Sequence, residues 1–346
     1  MTYVYERLPD PGQGLRLHLN ENTSGCSPKV LEALRRMGSD DVTYYPDYAA
    51  ITSECAHYFE ITSEQLLLTN GLDEGILAAT VAYLSQTRQA AKSIIVEPAF
   101  DMYAACCSSV AVDPLTIAPR SDLTFPLTEI LGAISDATRL VFLTNPNNPT
   151  GEQIPKDAIR EISHKIPKKA IIFLDEAYAD FSGQSFIHEL DKYPNVLVGR
   201  TFAKAHGLAA LRIGAVIATA SVLAPIRLVV PPYSLNNCAV TALQAALNDR
   251  EHVRSYISES HQSKQLLYEA CDRLSLKYWR SEANFVLIHI GDGANKFVHD
   301  LAIRKIFIRD RSGEPGCAGC VRITAGVVKH TKTFICAMES ILCDVP

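Results

Sequence analysis

Several short apolar runs of this chain are each followed by a side chain that can do chemistry. In chain order the groups are a glycine turn, an aromatic ring, an amide, a carboxylate with a phenol, and an amine: Gly71 with Leu72 and Asp73, Phe100, Asn148, Asp175 with Tyr178, and Thr201 with Lys204 and Arg212. A lysine between apolar neighbours at a strand end can be desolvated and become a nucleophilic amine. A carboxylate at the end of a buried strand is costly unless it meets a cation.

Taken singly, most of these residues also have an ordinary structural explanation. Gly71 could belong to an ordinary capped turn, and Phe100 could be a ring of the core. Asp175 could be a helix N-cap, and Lys204 could be an exposed loop lysine. The segment Asn145–Gly151 is more specific, because prolines on both sides of an asparagine pair make a rigid loop from which an amide can point inward. Together the groups are those that hold pyridoxal phosphate: an amine, a carboxylate for its ring nitrogen, and donors for its phosphate and ring oxygen.

The elements that must position these groups alternate between strand and helix. The apolar runs predict strands at Gln65–Leu68, Ser93–Val96, Leu140–Leu143, Ile171–Leu174 and Val196–Val198. Between them, segments such as Asp73–Leu84 and Lys156–Ile166 have apolar residues at helical spacing. This alternation predicts an α/β domain whose mainly parallel sheet is covered by helices on both faces, with ligands bound beyond the carboxyl ends of the strands.

The pair Pro231 and Pro232 interrupts this pattern and sets the predicted domain boundary. A long helical stretch over residues 237–274 follows, and then alternating runs at Asn284–Ile290, Ile306–Arg309 and Val321–Thr324. We therefore expect an N-terminal arm over residues 1–25, a large cofactor-binding domain over 26–231 and a smaller α+β domain over 232–346.

Composition argues against several classes of partner. With 33 basic and 38 acidic residues the net charge is -5, which does not favour nucleic acid or an anionic membrane. The start of the chain does not resemble a signal peptide, and the longest uncharged apolar stretch, Ile213–Ile226, is shorter than the roughly 20 residues of a spanning helix. The ten cysteines read as reduced thiols, and the pair Cys317 and Cys320 lacks the further ligands that structural zinc needs. We expect a cytoplasmic protein without a metal.

Short motifs spread over nearly the whole chain carry a family resemblance. They are LNEN (Leu19–Asn22), YYPD (Tyr44–Asp47), TNGLDEGI (Thr69–Ile76), PAFDMY (Pro98–Tyr103), NPNNPTG (Asn145–Gly151), DEAY (Asp175–Tyr178), TFAKAHGLAALRIG (Thr201–Gly214), FIRD (Phe307–Asp310) and VRITAG (Val321–Gly326). In these motifs the chain resembles the fold-type I pyridoxal-phosphate enzymes, and among them the histidinol-phosphate aminotransferase family. The resemblance implies the pyridoxal-phosphate-dependent transferase fold, with a large domain built on a seven-stranded type of sheet.

The resemblance also implies a role for each residue around the cofactor. Lys204 would form the Schiff base and carry the proton of a 1,3-shift, Asp175 would pair with the ring nitrogen, and Phe100 would stack on the ring. The ring oxygen would be bound by Asn148 and Tyr178, and the phosphate by Gly71, Leu72, Asp73, Thr201 and Arg212.

Other implied roles concern the substrate and a second subunit. Arg322 would clamp the substrate anion and Arg309 a second anionic group, with Asn22 also at the substrate. Tyr45 would reach the phosphate of the neighbouring subunit's cofactor, which implies a homodimer with shared active sites. The default reaction is amino transfer from histidinol phosphate to 2-oxoglutarate, a step of histidine biosynthesis.

Departures from the family pattern leave other functions open. Ala203 stands where the family commonly has serine, and His206 stands where an aromatic residue is usual and is close enough in sequence to Lys204 to act as an extra acid or base. These changes raise the alternatives of a decarboxylase of phosphorylated amino acids or a cyclising or oxidising enzyme of specialised metabolism. A non-catalytic ligand-binding protein on the same fold is the third reading. In the arm, Tyr3 or Tyr5 would be placed to offer a phenol to the substrate.

Overall fold

The computed structural model of the protein describes residues 12–85 and 91–343. Tyr3, Tyr5 and the first eleven residues of the predicted arm lie outside the described residues. The strands are β1 (Leu15–Arg16), β2 (Leu66–Asn70), β3 (Lys92–Val96), β4 (Leu115–Ile117), β5 (Thr138–Thr144), β6 (Ile171–Asp175), β7 (Val196–Thr201), β8 (Ile213–Ile217), β9 (Lys277–Trp279), β10 (Phe285–His289), β11 (Ile306–Phe307), β12 (Arg309–Asp310) and β13 (Cys320–Thr324).

Helices cover the sheets and connect their strands. They are α1 (Pro28–Arg35), α2 (Ser39–Thr43), α3 (Ala49–Phe59), α4 (Leu72–Leu84), α5 (Met102–Ser109), α6 (Leu127–Ala133), α7 (Lys156–Lys165), α8 (Ala179–Ser182), α9 (Ala220–Arg227), α10 (Asn237–Leu247), α11 (Arg250–Arg273), α12 (Ala294–Ile303) and α13 (Val328–Cys343). Across residues 12–85 and 91–343, none of them combines the length and apolar character that a membrane crossing requires.

The larger sheet has seven strands in the order β2-β8-β7-β6-β5-β3-β4. The five strands predicted from the sequence all lie in it, and the pairings from β7 through β6, β5 and β3 to β4 are parallel. The strand β8 is antiparallel to both of its neighbours, β2 and β7. The mainly parallel α/β fold is thus confirmed. The sequence pattern did not predict β4. It predicted that the apolar run Ile213–Ile226 is part of the core but did not predict the strand β8 within it.

Both faces of this sheet are buried, as the uninterrupted apolar runs predicted. Successive strand residues point to opposite faces. On β6, Ile172 and Leu174 pack into one core cluster while Ile171 and Phe173 pack into the other. Because no face of these strands meets water, any polar side chain at their ends needs a partner within the protein or a ligand.

The smaller sheet is antiparallel, in the order β12-β13-β10-β9. Its register places Arg309 of β12 directly opposite Arg322 of β13, so their side chains share one face. In the described part of the arm, the strand β1 pairs in parallel with β11, and Leu17 lies in the core cluster that contains Val286 and Ile323 of the small sheet. This described part of the arm therefore packs with the small sheet.

The long helical stretch predicted over residues 237–274 is two helices, α10 and α11, which break at Asn248 and Asp249. The first of them packs with the larger unit: its buried residues Ala239, Ala242 and Leu243 belong to the core cluster under the large sheet. We therefore propose that the large domain extends to about residue 249, beyond the boundary expected at residue 231.

Close packing between β8 and the start of α4 makes the stability of the large domain sensitive to one glycine. A Cβ at Gly214 would lie 2.5 Å from the backbone nitrogen of Leu72. Gly214→Ala should therefore lower the free energy of unfolding by about 1–3 kcal/mol, the usual cost of overpacking. Gly132→Ala in α6 is the matched control, because a Cβ there meets nothing within 4 Å. Urea unfolding of both variants and of the wild type checks this, and a midpoint of Gly214→Ala equal to that of the wild type would show that the packing is not tight.

Candidate active site

The carboxyl ends of the parallel strands meet at one edge of the large sheet, where two adjoining cavities lie between that edge and the small sheet. The inner cavity has a volume of about 180 Å³ and the outer one about 760 Å³. Residues shared by both cavities come from all five predicted strand-end segments and are Asp73, Phe100, Asn148, Tyr178, Lys204 and Arg212. Asp175 and Thr201 line the inner cavity, while Arg309 and Arg322 line the outer one. The structure thus brings these predicted residues together around one cleft.

Lys204 follows β7 and places its amine at the junction of the two cavities. Its Nζ donates a hydrogen bond to the carbonyl oxygen of Leu19, at 2.9 Å, and lies 5.9 Å from the centre of the Tyr178 ring. The neighbouring residues Ala203 and Ala205 are buried. The amine is therefore held by one backbone carbonyl in a cleft with apolar flanks, which leaves it available to a carbonyl ligand.

Asp175 is the last residue of β6 and its carboxylate is buried at the floor of the inner cavity. Its two hydrogen bonds come from the hydroxyl of Tyr103, at 2.6 Å, and from the backbone N–H of Ala177, at 2.9 Å, and both donors are neutral. Burial raises the pKa of Asp175 to about 6. A carboxylate in this setting gains from a cationic ligand group placed against it.

Tyr103 is a site residue that the sequence analysis missed. Its hydroxyl donates to Asp175 and lies 2.9 Å from the hydroxyl of Thr144, and its ring stacks on Phe142 with centroids 4.7 Å apart. The available signal was its position three residues after Phe100, which places both rings near the first turn of α5, where they meet edge to face. Tyr103 therefore orients the buried carboxylate of Asp175 through this hydrogen bond.

The part of the inner cavity at the start of α4 is suited to an anion. Gly71 is the N-cap of α4 and brings no side chain, so the first N–H groups of this 13-residue helix have no side-chain cap. The φ angle of Gly71 is 75°, and a Cβ would lie 2.5 Å from Nη2 of Arg212. Arg212 is paired with Asp73 at 2.7 Å. Glycine is required here both by the backbone conformation and by the approach of the guanidinium.

Arg322 lines the outer cavity and is buried, and no carboxylate of the described residues forms an ion pair with it. It donates to the side-chain oxygen of Asn148 and, at 2.8 Å, to the carbonyl oxygen of His18, while its guanidinium lies 5.3 Å from the centre of the Phe285 ring. Burial, and next the charge of Arg311, lower the pKa of Arg322 to about 10. Within the described part of the chain its buried Nε has no hydrogen-bond partner. A substrate anion in the outer cavity would supply the missing negative charge.

The segment from His18 to Asn22 connects the arm to each of these groups. Besides the two carbonyl contacts of His18 and Leu19, the amide of Asn20 donates to the hydroxyl of Tyr178 at 3.0 Å. Asn22, which was expected at the substrate, instead bonds the carbonyl oxygen of Ala205 at 2.9 Å and accepts from Ser24, and it does not line either of the two cavities described. Asn20, which carried no predicted role, takes the place in the outer cavity.

Two further residues lie away from the cleft of this chain. Tyr45 is 77% exposed and stacks on Tyr233 with centroids 4.3 Å apart. His206 was expected close enough to Lys204 to act as an extra acid or base, and this is wrong: its ring is buried against Tyr58 and Phe202, and its Nε2 lies 3.3 Å from the Tyr58 hydroxyl. The turn at Gly207 directs the histidine into the core while Lys204 faces the cavity.

The residues of the inner cavity fit pyridoxal phosphate. The buried carboxylate of Asp175 has only neutral donors, the N-terminus of α4 has no side-chain cap, and the amine of Lys204 lines the same cavity. These groups suit a protonated ring nitrogen, a phosphate and a reactive carbonyl in that order. The fold and the site together define a pyridoxal-phosphate enzyme of fold type I.

Comparison with known proteins gives the family. The sequence profile described as aminotransferase class I and II matches residues 13–335, and the chain belongs to that family. Histidinol-phosphate aminotransferase 2 of Carboxydothermus hydrogenoformans is 32% identical over 338 residues, covering 94% of this chain and 91% of that protein. The protein is therefore a pyridoxal-phosphate-dependent aminotransferase.

Solved structures agree on the fold. The histidinol-phosphate aminotransferase of Sinorhizobium meliloti, in complex with pyridoxal-5'-phosphate, superimposes with a TM-score of 0.87 at 23% identity, covering 96% of this chain and 92% of that one. The histidinol-phosphate aminotransferase of Clostridium acetobutylicum gives a TM-score of 0.88 at 22% identity, covering 96% and 100%. At these identities the likeness establishes the architecture, and the site itself must be argued from its own residues.

The raised pKa of Asp175 makes a testable prediction about the cofactor-free protein. Its folded pKa of about 6 lies above the ~3.9 of an unfolded aspartate, so the buried charge costs stability at neutral pH and this cost fades as the pH falls and the carboxyl takes up a proton. Asp175→Asn should therefore increase the free energy of unfolding near pH 7, and its curve should converge with the wild-type curve towards about pH 4.

Urea unfolding between about pH 4 and pH 7 measures this difference. The exposed Asp113 provides the control, since Asp113→Asn should leave the pH dependence unchanged. A stability gain from Asp175→Asn that is the same at every pH would show that the carboxylate is not the titrating group.

Proposed function

We propose that this protein transfers the amino group of histidinol phosphate to 2-oxoglutarate. The observation that carries the proposal is the register of β12 and β13, which places Arg309 and Arg322 opposite each other on the wall of a cavity that also contains Lys204. A substrate with an amine at one end and an anionic group at the other would meet the Lys204 amine and an arginine in the same cavity. The naming of the relative from Carboxydothermus hydrogenoformans supports the same substrate.

When bound, pyridoxal phosphate supplies an electron sink for the carbon that carries the amino group. Asp175 would hold the ring nitrogen and keep it protonated, and Phe100 would stack on the ring. Asn148 and Tyr178 would bind the ring oxygen. The remaining chemistry is proton transfer by Lys204, whose amine lies in the cleft and would remove the proton at the substrate carbon and return it on the cofactor side.

The phosphate of the cofactor would be held by Thr201, by Arg212 and by the backbone of Gly71, Leu72 and Asp73. In the structure Arg212 is bonded to Asp73, an exposed pair that is easily reorganised when a phosphate arrives. Arg322 would clamp the anionic end of the substrate, because its buried guanidinium already has two of its donors fixed by Asn148 and His18. Each arginine thus acts by orientation and charge, and Lys204 alone moves protons.

The other reactions considered from the sequence lose their support. They rested on His206 and Ala203, and the first of these lies in the core beside Tyr58 and Phe202. Ala203 lines the inner cavity but brings neither an acid nor a base. Amino transfer therefore remains the reaction that the site residues favour.

We also propose that the active enzyme is a homodimer with shared sites. Tyr45 does not line the cavities described for its own chain but lies in an exposed apolar patch with Val42, Tyr44 and Tyr233. A patch of this kind marks a protein interface, and a second copy would bring Tyr45 to the neighbouring phosphate. We place the protein in the cytoplasm, because all ten of its cysteines are free thiols.

Lys204→Ala should lower kcat for histidinol phosphate with 2-oxoglutarate by at least about 10²–10⁴-fold, because the proton transfer loses its base. The measurement is glutamate formation together with the absorbance of the bound cofactor before and after addition of histidinol phosphate. Lys169→Ala, at an exposed loop position, is the control and should behave as wild type. Normal turnover of Lys204→Ala would refute the mechanism, and release of carbon dioxide in place of glutamate would refute the reaction.

Shared sites predict complementation between two damaged chains. Co-expressed Lys204→Ala and Tyr45→Ala chains should form mixed dimers in which one site has both residues intact, so activity should exceed that of either variant alone. The mixed dimers are isolated through a different affinity tag on each chain, so that homodimers do not contribute to the activity. The control is the mixed dimer of wild type with a chain that carries both changes, which has no intact site if the sites are shared. If that control dimer is at least as active as the complementing dimer, each site is built from one chain and the shared-site proposal is wrong.

A further inference from the structure

A third arginine shares the wall of the outer cavity with Arg309 and Arg322. Arg311 follows β12, and its backbone N–H continues the ladder to the carbonyl oxygen of Cys320 at 2.9 Å. Because side chains alternate along a strand, Arg311 lies on the same face as Arg309, diagonally across from Arg322. All three line the outer cavity. None of the family motifs noted in the sequence assigned a role to Arg311.

Arg311 is buried, with 7% of its surface exposed, and its guanidinium is paired with Glu314. That pair leaves the Nε of Arg311 without a hydrogen-bond partner, as is also the case for the Nε of Arg322. Two buried guanidinium groups that line one cavity form a built site for an acceptor with several oxygens. Glu314 does not line the outer cavity, so it holds Arg311 from outside the site.

The charge around the outer cavity favours a ligand with more than one negative charge. Five cationic side chains line it against three acidic ones, which are Asp73, Glu97 and Asp101. A carboxylate has two oxygens and a single charge, and Arg322 alone can bind both oxygens. A phosphate monoester carries nearly two charges at neutral pH and three oxygens, so it has acceptors left for a second guanidinium.

We propose that Arg311 is a specificity-determining residue that makes this site prefer substrates ending in a phosphate monoester over substrates ending in a carboxylate. It does so as a third guanidinium in the cavity that Lys204 also lines, held in place by Glu314. The proposal rests on the proposed amino transfer and names the chemical class that the site selects. Glutamate, the other partner of the reaction, needs only Arg322 and Arg309 and is indifferent to Arg311.

The test compares the two half-reactions of the cofactor-loaded Arg311→Gln variant, one with histidinol phosphate and the other with glutamate. For histidinol phosphate we expect kcat/KM to fall about 10–100-fold, mainly through KM, as for the loss of one charged hydrogen bond. For glutamate we expect a change within about threefold. Arg311→Lys should recover part of the phosphate preference, because it restores the charge but not the planar donors.

Arg273→Gln is the matched control, since it removes an arginine that is paired with a glutamate on the surface of the same domain. It should change neither half-reaction. If Arg311→Gln slows both half-reactions equally, or neither of them, the proposal is overturned. Unfolding midpoints close to wild type for both variants would separate the effect from a general loss of stability.

A failure of the proposed reaction is visible separately. If the wild-type enzyme does not react with histidinol phosphate, the proposed function fails, and the selectivity is then tested with inorganic phosphate as an inhibitor of the glutamate half-reaction. Arg311 is supported if phosphate inhibits the wild type at least about tenfold more strongly than Arg311→Gln. Equal inhibition of the two proteins overturns the proposal.

Discussion

The active site depends on one buried carboxylate that forms no ion pair within the described part of the chain. The carboxylate of Asp175 ends a strand that is covered on both faces, and its donors, Tyr103 and the N–H of Ala177, are neutral. Its neighbour Glu176 is equally buried but is paired with Arg200, which also binds Asp180. Two adjacent carboxylates thus have opposite roles: the second is neutralised within the fold, and the first is reserved for a ligand that brings a positive charge. The position of the amine, the anion site and the aromatic rings follows from where that ligand must lie.

A short stretch of the arm joins the two halves of the site. The backbone carbonyls of His18 and Leu19 accept hydrogen bonds from Arg322 and Lys204, respectively. The side-chain amides of Asn20 and Asn22 donate to the hydroxyl of Tyr178 and to the carbonyl oxygen of Ala205, in the loop after the lysine. The same stretch continues from β1, which pairs with β11 of the small sheet. A displacement of the small sheet relative to the large one would therefore move the partners of Lys204 and Arg322 together. This is a physical reason for the site to lie at the junction of the two units and not within either.

The cleft has positively charged groups in both of its cavities. At the inner end, a helix N-terminus and Arg212 offer sites for one phosphate, and at the outer wall three arginines offer sites for another anion. Lys204 lies between them, so a cofactor and a substrate that are both anionic are drawn to opposite ends while their reactive atoms meet at the amine. Arg311 and Arg322 are buried, and charges interact more strongly away from water, so burial strengthens the attraction of both side chains for an anion.

By itself, the sequence determined the elements whose signals are local. Apolar runs showed the five strands, the residues that follow them showed the reactive groups, and parallel pairing placed those groups at one edge of the sheet. Only the tertiary structure decided which side chains meet. Tyr103 reaches Asp175 from a different strand–helix connection, Asn20 takes the place expected for Asn22, His206 turns into the core, and α10 packs with the large domain. These outcomes depend on contacts between residues far apart in the chain, and period and motif spacing carry information only about near neighbours and the face they share.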